Sequence, residues 1–239
     1  MRKDAPLISC FHVTVDSPAG DRLLDDVTVE FNYNSWNEIV GPPRAGKSVL
    51  FDVLSLRGIP RRGKLVVDGR NLDKATTREI SDMRRMVGSC SESPRLLDTR
   101  TTCENLVLPF VIRGEQVRAL GEAEALLDVM ECDGLRDLEI RQLCRRDRLL
   151  VGLMRAMIGK PQVIIIDAAH ELLDERSRQL VMQQLKKRHA AGATVVLLGQ
   201  EATDNARRGR QFRLEGGSLS EWETPARIPR VPEAGGLRR

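Results

Sequence analysis

Apolar and polar positions follow three patterns in turn along the 239-residue chain. Near the N-terminus, Leu7–Val15 and Val27–Phe31 alternate as half-exposed strands do, and Glu38-Ile39-Val40 is a third short strand running into a Gly/Pro-rich turn. These predict a small antiparallel sheet leaning on a core. From about Arg100 to Lys160 the spacing turns helical, with Val117, Leu120, Ala123, Leu127 and Met130 on one stripe, which predicts a helical insertion. Further on, Val163-Ile164-Ile165-Ile166 and Val195-Val196-Leu197-Leu198 are uninterrupted apolar runs, the pattern of parallel strands covered on both faces. Between them Asp174–Ala191 sets Leu180, Val181 and Leu185 against a polar, basic face and ends at Gly192, so the segment reads as strand–helix–strand. After Leu214 come a Gly-Gly turn, a last strand, and a stretch over 221–239 whose Pro, Gly and Arg leave nothing to pack. That tail is expected to be disordered.

Composition narrows the class. The chain is 41% hydrophobic and 30% charged, ordinary globular values. Its longest apolar runs are far too short to cross a bilayer, and the opening MRKDAPLISC lacks the apolar core of a secretory signal, so a cytoplasmic protein is expected. Cys10, Cys90, Cys103, Cys132 and Cys144 form no CxxC pair and read as reduced thiols. Of the formal net charge of +4, Thr224–Arg239 supplies +3 through four Arg against one Glu. The remainder is nearly neutral, which speaks against a nucleic-acid groove.

The strongest chemical signal is Gly41-Pro42-Pro43-Arg44-Ala45-Gly46-Lys47-Ser48, a GxxxxGK[ST] loop between a predicted strand and a predicted helix over Val49–Leu56. Glycines let backbone N–H groups and the helix N-terminus close round phosphates, the lysine neutralises the outer phosphates, and the hydroxyl holds Mg²⁺. Gly41, Pro42, Arg44, Ala45, Gly46, Lys47, Ser48 and Val49 are therefore the candidate ATP-binding residues. Pro43 has no N–H to offer, and Arg44 stands where a small residue is easier to accommodate. A second signal agrees: the run Val163–Ile166 ends in Asp167, the arrangement of a carboxylate that holds Mg²⁺ at the end of a buried strand.

In this order the motifs resemble an ATP-binding-cassette (ABC) nucleotide-binding subunit over about residues 7–220. Arg95-Leu96-Leu97, Thr102, Glu104-Asn105-Leu106 and Leu108-Pro109-Phe110 are similar to a stretch of the cell-division, lipoprotein-export and macrolide-export branch. Gln142-Leu143, Arg155-Ala156 and Leu173-Asp174 stand where the signature helix and the following loop of that family fall. The resemblance implies an α/β fold: a P-loop (RecA-like) core with an N-terminal antiparallel β subdomain and an α-helical subdomain inserted at about 93–158. It also implies ATP and Mg²⁺ as cofactors, with Glu92, in the place of a family glutamine, joining Ser48 and Asp167 at the metal.

Four positions depart from the family pattern. Besides Glu92, Ala168 stands where the resemblance implies a catalytic glutamate, Gln200 where it implies a histidine, and Cys144-Arg145-Arg146-Asp147 where it implies the Ser-Gly-Gly-Gln of the signature. No aromatic residue stands near Ser17 to stack on adenine. The expected function is thus an ATP-binding subunit of a membrane-associated ABC complex, impaired in hydrolysis, with no catalytic residue of its own, acting as a structural or regulatory subunit. The alternative is an active ATPase energising lipid, lipoprotein or drug export. The implied partners are an integral membrane permease subunit, docking near Glu92–Phe110, and a second ABC subunit in a homodimer or heterodimer. The implied location is peripheral, at the inner face of the cell membrane. Leu96, Leu97, Leu106 and Phe110 are expected to form an exposed apolar docking patch, against the alternative that they pack the insertion.

Overall fold

A computed structural model describes residues 6–58, 60, 62–113, 116–203 and 209–222. The tail expectation, apart from its first residues, lies outside them. The alternating segments form β1 (Pro6–Asp16) and β2 (Arg22–Asn32), which pair antiparallel. With β4 (Arg62–Val67) and β5 (Arg70–Asn71) they make a four-stranded sheet in the order β2-β1-β4-β5.

The short strand β3 (Trp36–Val40) does not join that sheet, contrary to the pattern-based expectation. It pairs parallel with both β8 (Thr194–Gly199) and β9 (Arg210–Glu215), in the interior of a second, six-stranded sheet. All five of its residues are buried. The sheet order is β10-β9-β3-β8-β7-β6, where β6 is Val87–Ser91, β7 Val163–Asp167 and β10 Ser218–Glu221. Only the β9–β10 hairpin is antiparallel.

Uninterrupted apolar strands are required here because both faces of this sheet are covered. Along β7 and β8, Val163, Ile165, Val196 and Leu198 enter a core shared with the four-stranded sheet and with helix α1 (Lys47–Leu54). Ile164, Ile166, Val195 and Leu197 face the other way, into a core built with α5 (Arg145–Met157) and α6 (Glu175–Ala190). Asp174 caps α6 by accepting the N–H of Ser177 at 2.9 Å.

Helix α2 (Thr77–Met86) precedes β6 and starts with a capping box between Thr76 and Glu79. Between β6 and β7 the chain inserts α3 (Thr102–Arg113), α4 (Gln116–Val129) and α5. The buried stripe of α4 is Ala119, Ala123, Leu126 and Leu127, whereas Leu120 is 48% exposed. Of the predicted stripe, Ala123, Leu127 and Met130 are buried and Leu120 is not, while the side chain of Val117 lies outside the described residues. The residues that carry the branch resemblance hold this insertion together. Asn105, fully buried, accepts the N–H of Leu97 at 2.8 Å and donates to the carbonyls of Leu97 and Thr101, while Glu104 accepts the Thr101 N–H. No helix among the described residues is long and apolar enough to cross a membrane.

Candidate functional site

The loop between β3 and α1 is pinned at both ends. The Gly41 N–H donates to Gly199 at the end of β8, and a Cβ on Gly41 would lie 2.2 Å from the carbonyl oxygen of Leu214, so only glycine lets the chain pass. Gly46 forms the N-terminal boundary of α1 with φ of 104° and no side-chain cap. The first N–H groups of α1 therefore have no intrahelical acceptor and face the space in front of the loop, the polarity an anion needs. Arg44 also adopts a positive φ, 65°, at a cost of about 1 kcal/mol relative to glycine. Lys47 folds back over the loop, its Nζ donating to the carbonyls of Gly41 at 2.6 Å and Pro42 at 2.8 Å. Phosphate oxygens can replace those carbonyls as acceptors.

A cavity of about 530 Å³ opens in front of this loop. Lys47, Ser48, Glu92, Asp167, Ala168 and Gln200 line it together, although they come from four separate segments of the sequence. Leu23, Pro43 and Val49 supply apolar wall, and no lining residue is aromatic. Asp167, 4% exposed, takes a hydrogen bond from Ser48. Burial pushes its carboxyl above the usual range, and Glu92 pushes the same way; Ser48 and Lys47 oppose. A hydroxyl and two carboxylates at the foot of an anion-binding loop are the oxygen donors Mg²⁺ takes, and a carboxylate held above its ordinary pKa gains from a cation.

Ala168 follows Asp167 with φ of 52°, its N–H donating to Leu198. Its side chain is a methyl group, so no proton acceptor occupies this position. Downstream of it, Glu171 accepts the backbone N–H of Gln200 at 2.7 Å, tying the loop after β7 to the loop after β8. Sequence reasoning missed this contact, which is set by tertiary pairing and leaves no local signal. Glu38, 2% exposed inside β3, was likewise missed; it accepts from Trp36 and twice from Thr203. His170 is buried with its Nδ1 unpartnered, and burial first and then Arg178 pull its pKa down to about 4. It is neutral at physiological pH.

The signature segment does not reach this cavity. Cys144 caps α5 from its exposed N-terminus, with its Sγ 3.2 Å from Asp147. Arg145 is exposed at the start of α5. Arg146 folds back, donating to Asp174 at 2.7 Å, Ser177 at 2.7 Å and Asp147 at 3.0 Å. The Ser177 N–H and Arg146 together hold the Asp174 carboxyl well below the usual range.

The docking patch also needs correcting: Leu106 and Phe110 are buried and Leu96 packs against the core, leaving Leu97 as the exposed member. Between core and insertion lies a groove of about 420 Å³, to which Glu92–Phe110 contributes Leu108 and Pro109. Its other walls come from α2, β6, the turn after α1 and the end of α5.

Sequence and structure comparisons agree with this geometry. The methionine import ATP-binding protein MetN of Haemophilus influenzae is 31% identical over 180 residues, covering 74% of this chain and 52% of the relative. The macrolide export ATP-binding/permease protein MacB of Brucella melitensis is 26% identical over 235 residues, 96% of this chain and 36% of the relative. The chain thus spans about half the length of the MetN relatives it matches, or less in the case of MacB. Because importers and exporters both match, the similarity fixes the cassette and not a direction of transport. The dimeric cassette MJ0796 bound to ADP and Pi superposes with a TM-score of 0.82 at 23% identity, over 92% of this chain and 99% of that one, which establishes the P-loop cassette fold. Residues 24–171, more than half of the sequence, match the profile of the ABC transporter family, and the chain belongs to that family.

Proposed function

We propose that this chain is the Mg-ATP-binding subunit of a membrane-associated ABC complex, impaired in hydrolysis and acting as a structural or regulatory element. Gly41, Pro42, Arg44, Ala45, Gly46 and Val49 shape the phosphate seat, Lys47 supplies charge, and Ser48, Asp167 and Glu92 hold the metal, which when bound neutralises phosphate charge. The observation that carries this reading is Ala168: the loop and the metal-holding oxygens open into one cavity, and the residue directly after Asp167 offers only a methyl group there. A missing general base costs about 10²–10⁴ in rate. The signature half adds to the loss, because Arg146 is spent on contacts within its own subunit and Arg145 stands where small residues are needed.

The partners in this reading are an integral membrane subunit and a second ABC subunit, identical or different, with the chain peripheral at the inner face of the membrane. The residues from 1 to about 220 act as one nucleotide-binding domain with the 93–158 region inserted. The second reading, an active ATPase, has one observation in its favour: the Glu171 carboxylate on the Gln200 N–H, beside a residue that lines the cavity.

Equilibrium titration with a fluorescent ATP analogue tests nucleotide binding. Lys47→Ala should weaken it about ten- to a hundredfold, the loss of one charge-assisted contact of roughly 1.5–3 kcal/mol. Equal affinity of the two proteins contradicts the proposal. Nucleotide recovered as ATP after prolonged incubation supports it further, whereas conversion to ADP that stops in Glu171→Gln favours the active ATPase.

A further inference from the structure

The loop after β8 brings Gln200 to the cavity wall, and two carboxylates from other parts of the chain hold its backbone. Glu171 accepts the Gln200 N–H at 2.7 Å. Farther along the same loop, Thr203 donates its N–H at 2.7 Å and its hydroxyl at 2.6 Å to the buried Glu38 of β3. Glu38 also takes the Trp36 indole N–H at 2.8 Å. Donors bond a carboxylate about twice as strongly as a neutral oxygen, so the segment Gln200–Thr203 is fixed at both of its ends.

Gly199 makes room for the first of these contacts. A Cβ there would lie 2.3 Å from Oε1 of Glu171, so a side chain at this position would push the carboxylate away from Gln200. The Gly199 carbonyl accepts the Gly41 N–H at 3.2 Å, which ties the same residue to the phosphate-binding loop. Glu171 itself closes a turn, its N–H donating to the Ala168 carbonyl at 2.9 Å. Strand register then sets where Gln200 stands: Leu198 pairs with Asp167, which puts Gln200 just beyond the metal-holding carboxylate, on the neighbouring strand. There its amide can donate to a phosphate oxygen without carrying charge or titrating. A carboxylate aimed at the same phosphate would repel it, whereas Glu171 is directed at a backbone N–H.

We infer that Glu171 is a positioning residue: through the Gln200 N–H it aims the Gln200 amide at the terminal phosphate, Glu38 anchors the far end of the segment, and the clamp makes the site prefer a nucleoside triphosphate to a diphosphate. The inference rests on the Mg-ATP-binding reading proposed above. It adds the residues that set which nucleotide is retained.

Displacement of a fluorescent ADP analogue from the full chain, by Mg-ATP and by Mg-ADP, reads the two affinities and their ratio. The wild type should favour Mg-ATP. Gln200→Ala should cut that preference about tenfold, through loss of one hydrogen bond to a charged group. Glu171→Ala should cut it by a similar factor, and should add nothing further in the Gln200→Ala background. Glu171→Gln, which keeps an acceptor oxygen, should restore most of the preference. Gly199→Ala displaces the carboxylate without removing it and should reproduce Glu171→Ala; it carries the test if melting shows Glu171→Ala to be unfolded. At the far end, Thr203→Val should give a smaller loss, about threefold. Equal losses of Mg-ATP and Mg-ADP affinity in Glu171→Ala would show a merely structural role and overturn the inference. So would a ratio unchanged in Gln200→Ala, a further fall when the two substitutions are combined, or a wild type that binds both nucleotides equally. In each of these cases nucleotide still binds and only the clamp fails. A wild type that binds neither nucleotide sinks the Mg-ATP reading as well.

Discussion

The two halves from which an ABC dimer builds each nucleotide site have fared differently in this chain. The loop half keeps its architecture: Gly46 opens α1 without a side-chain cap, Lys47 lies over the loop, and Ser48 and Asp167 meet at its foot. The signature half keeps its position at the N-terminus of α5 and has changed its contacts. Where the family has small residues facing a partner subunit, Arg146 turns inward to Asp174 and Ser177, so that α5 and α6 are joined within one subunit. Binding of nucleotide draws on the first half and catalysis draws on both. In the proposed function, loss on the second side, together with Ala168 on the first, would separate binding from turnover while the fold is kept.

The largest effect should come from rebuilding both halves at once. Ala168→Glu alone leaves a homodimer nearly inactive, because the base is restored while the signature is still absent. Ala168→Glu combined with Cys144→Ser, Arg145→Gly, Arg146→Gly, Asp147→Gln and Gln200→His should raise turnover by about 10² or more over wild type. Such factors do not multiply within one site, so the combined gain falls short of the product of single effects. Full activity from Ala168→Glu by itself would break the comparison, since it would show the signature half to be competent as it stands.

Next in size is a pH effect from the loop that joins the two halves. His170 has a folded pKa of about 4 against an unfolded value of 6.5, so the unfolded chain binds more protons between these values. Stability owes nothing to its titration above pH 6.5 and falls as the pH drops through that window, and the loss reaches roughly 3 kcal/mol once the pH is below 4. Urea melts should show this decline in the wild type and a flatter profile in His170→Gln. Parallel profiles contradict the assignment.

The smallest effects have opposite signs on the two sides. Arg44→Gly relieves a positive φ and should raise stability by about 1 kcal/mol, a rise of roughly 2–4 °C in melting temperature. Arg146→Ala removes surface hydrogen bonds and ion pairs with Asp174, Ser177 and Asp147 and should lower stability by no more than about 1 kcal/mol. Calorimetry on the pair reads both signs. A destabilised Arg44→Gly would mean that the arginine holds the loop through contacts of its side chain.

Much of the site was legible in the sequence because its signals are local. The glycines, lysine and serine of the loop stand in one octad, and the run ending in Asp167 announces a covered strand by its lack of alternation. What was not legible depends on pairing across the fold. The sheet that takes β3 is chosen by its parallel neighbours β8 and β9, and Glu38 is tolerated inside it because Trp36 and Thr203 supply its hydrogen bonds. The direction of Arg146 depends on Asp174, on another helix. The carboxylates that hold Gln200 and Thr203 come from the loop after β7 and from β3, remote in sequence from the loop after β8. Leu106 and Phe110 looked exposed only because the periodicity of a short helix containing Pro109 does not fix its buried face.

The central claim is that this cassette holds Mg-ATP and hardly turns it over. Steady-state phosphate release from the purified protein at saturating Mg-ATP, with Lys47→Ala prepared in parallel to expose contaminating activity, measures it directly. Against an ordinary turnover of about 10 s⁻¹, the wild type should release phosphate at roughly 10⁻³ s⁻¹ or below. Release at ordinary rates that disappears in Lys47→Ala would contradict the account and establish the chain as an active motor.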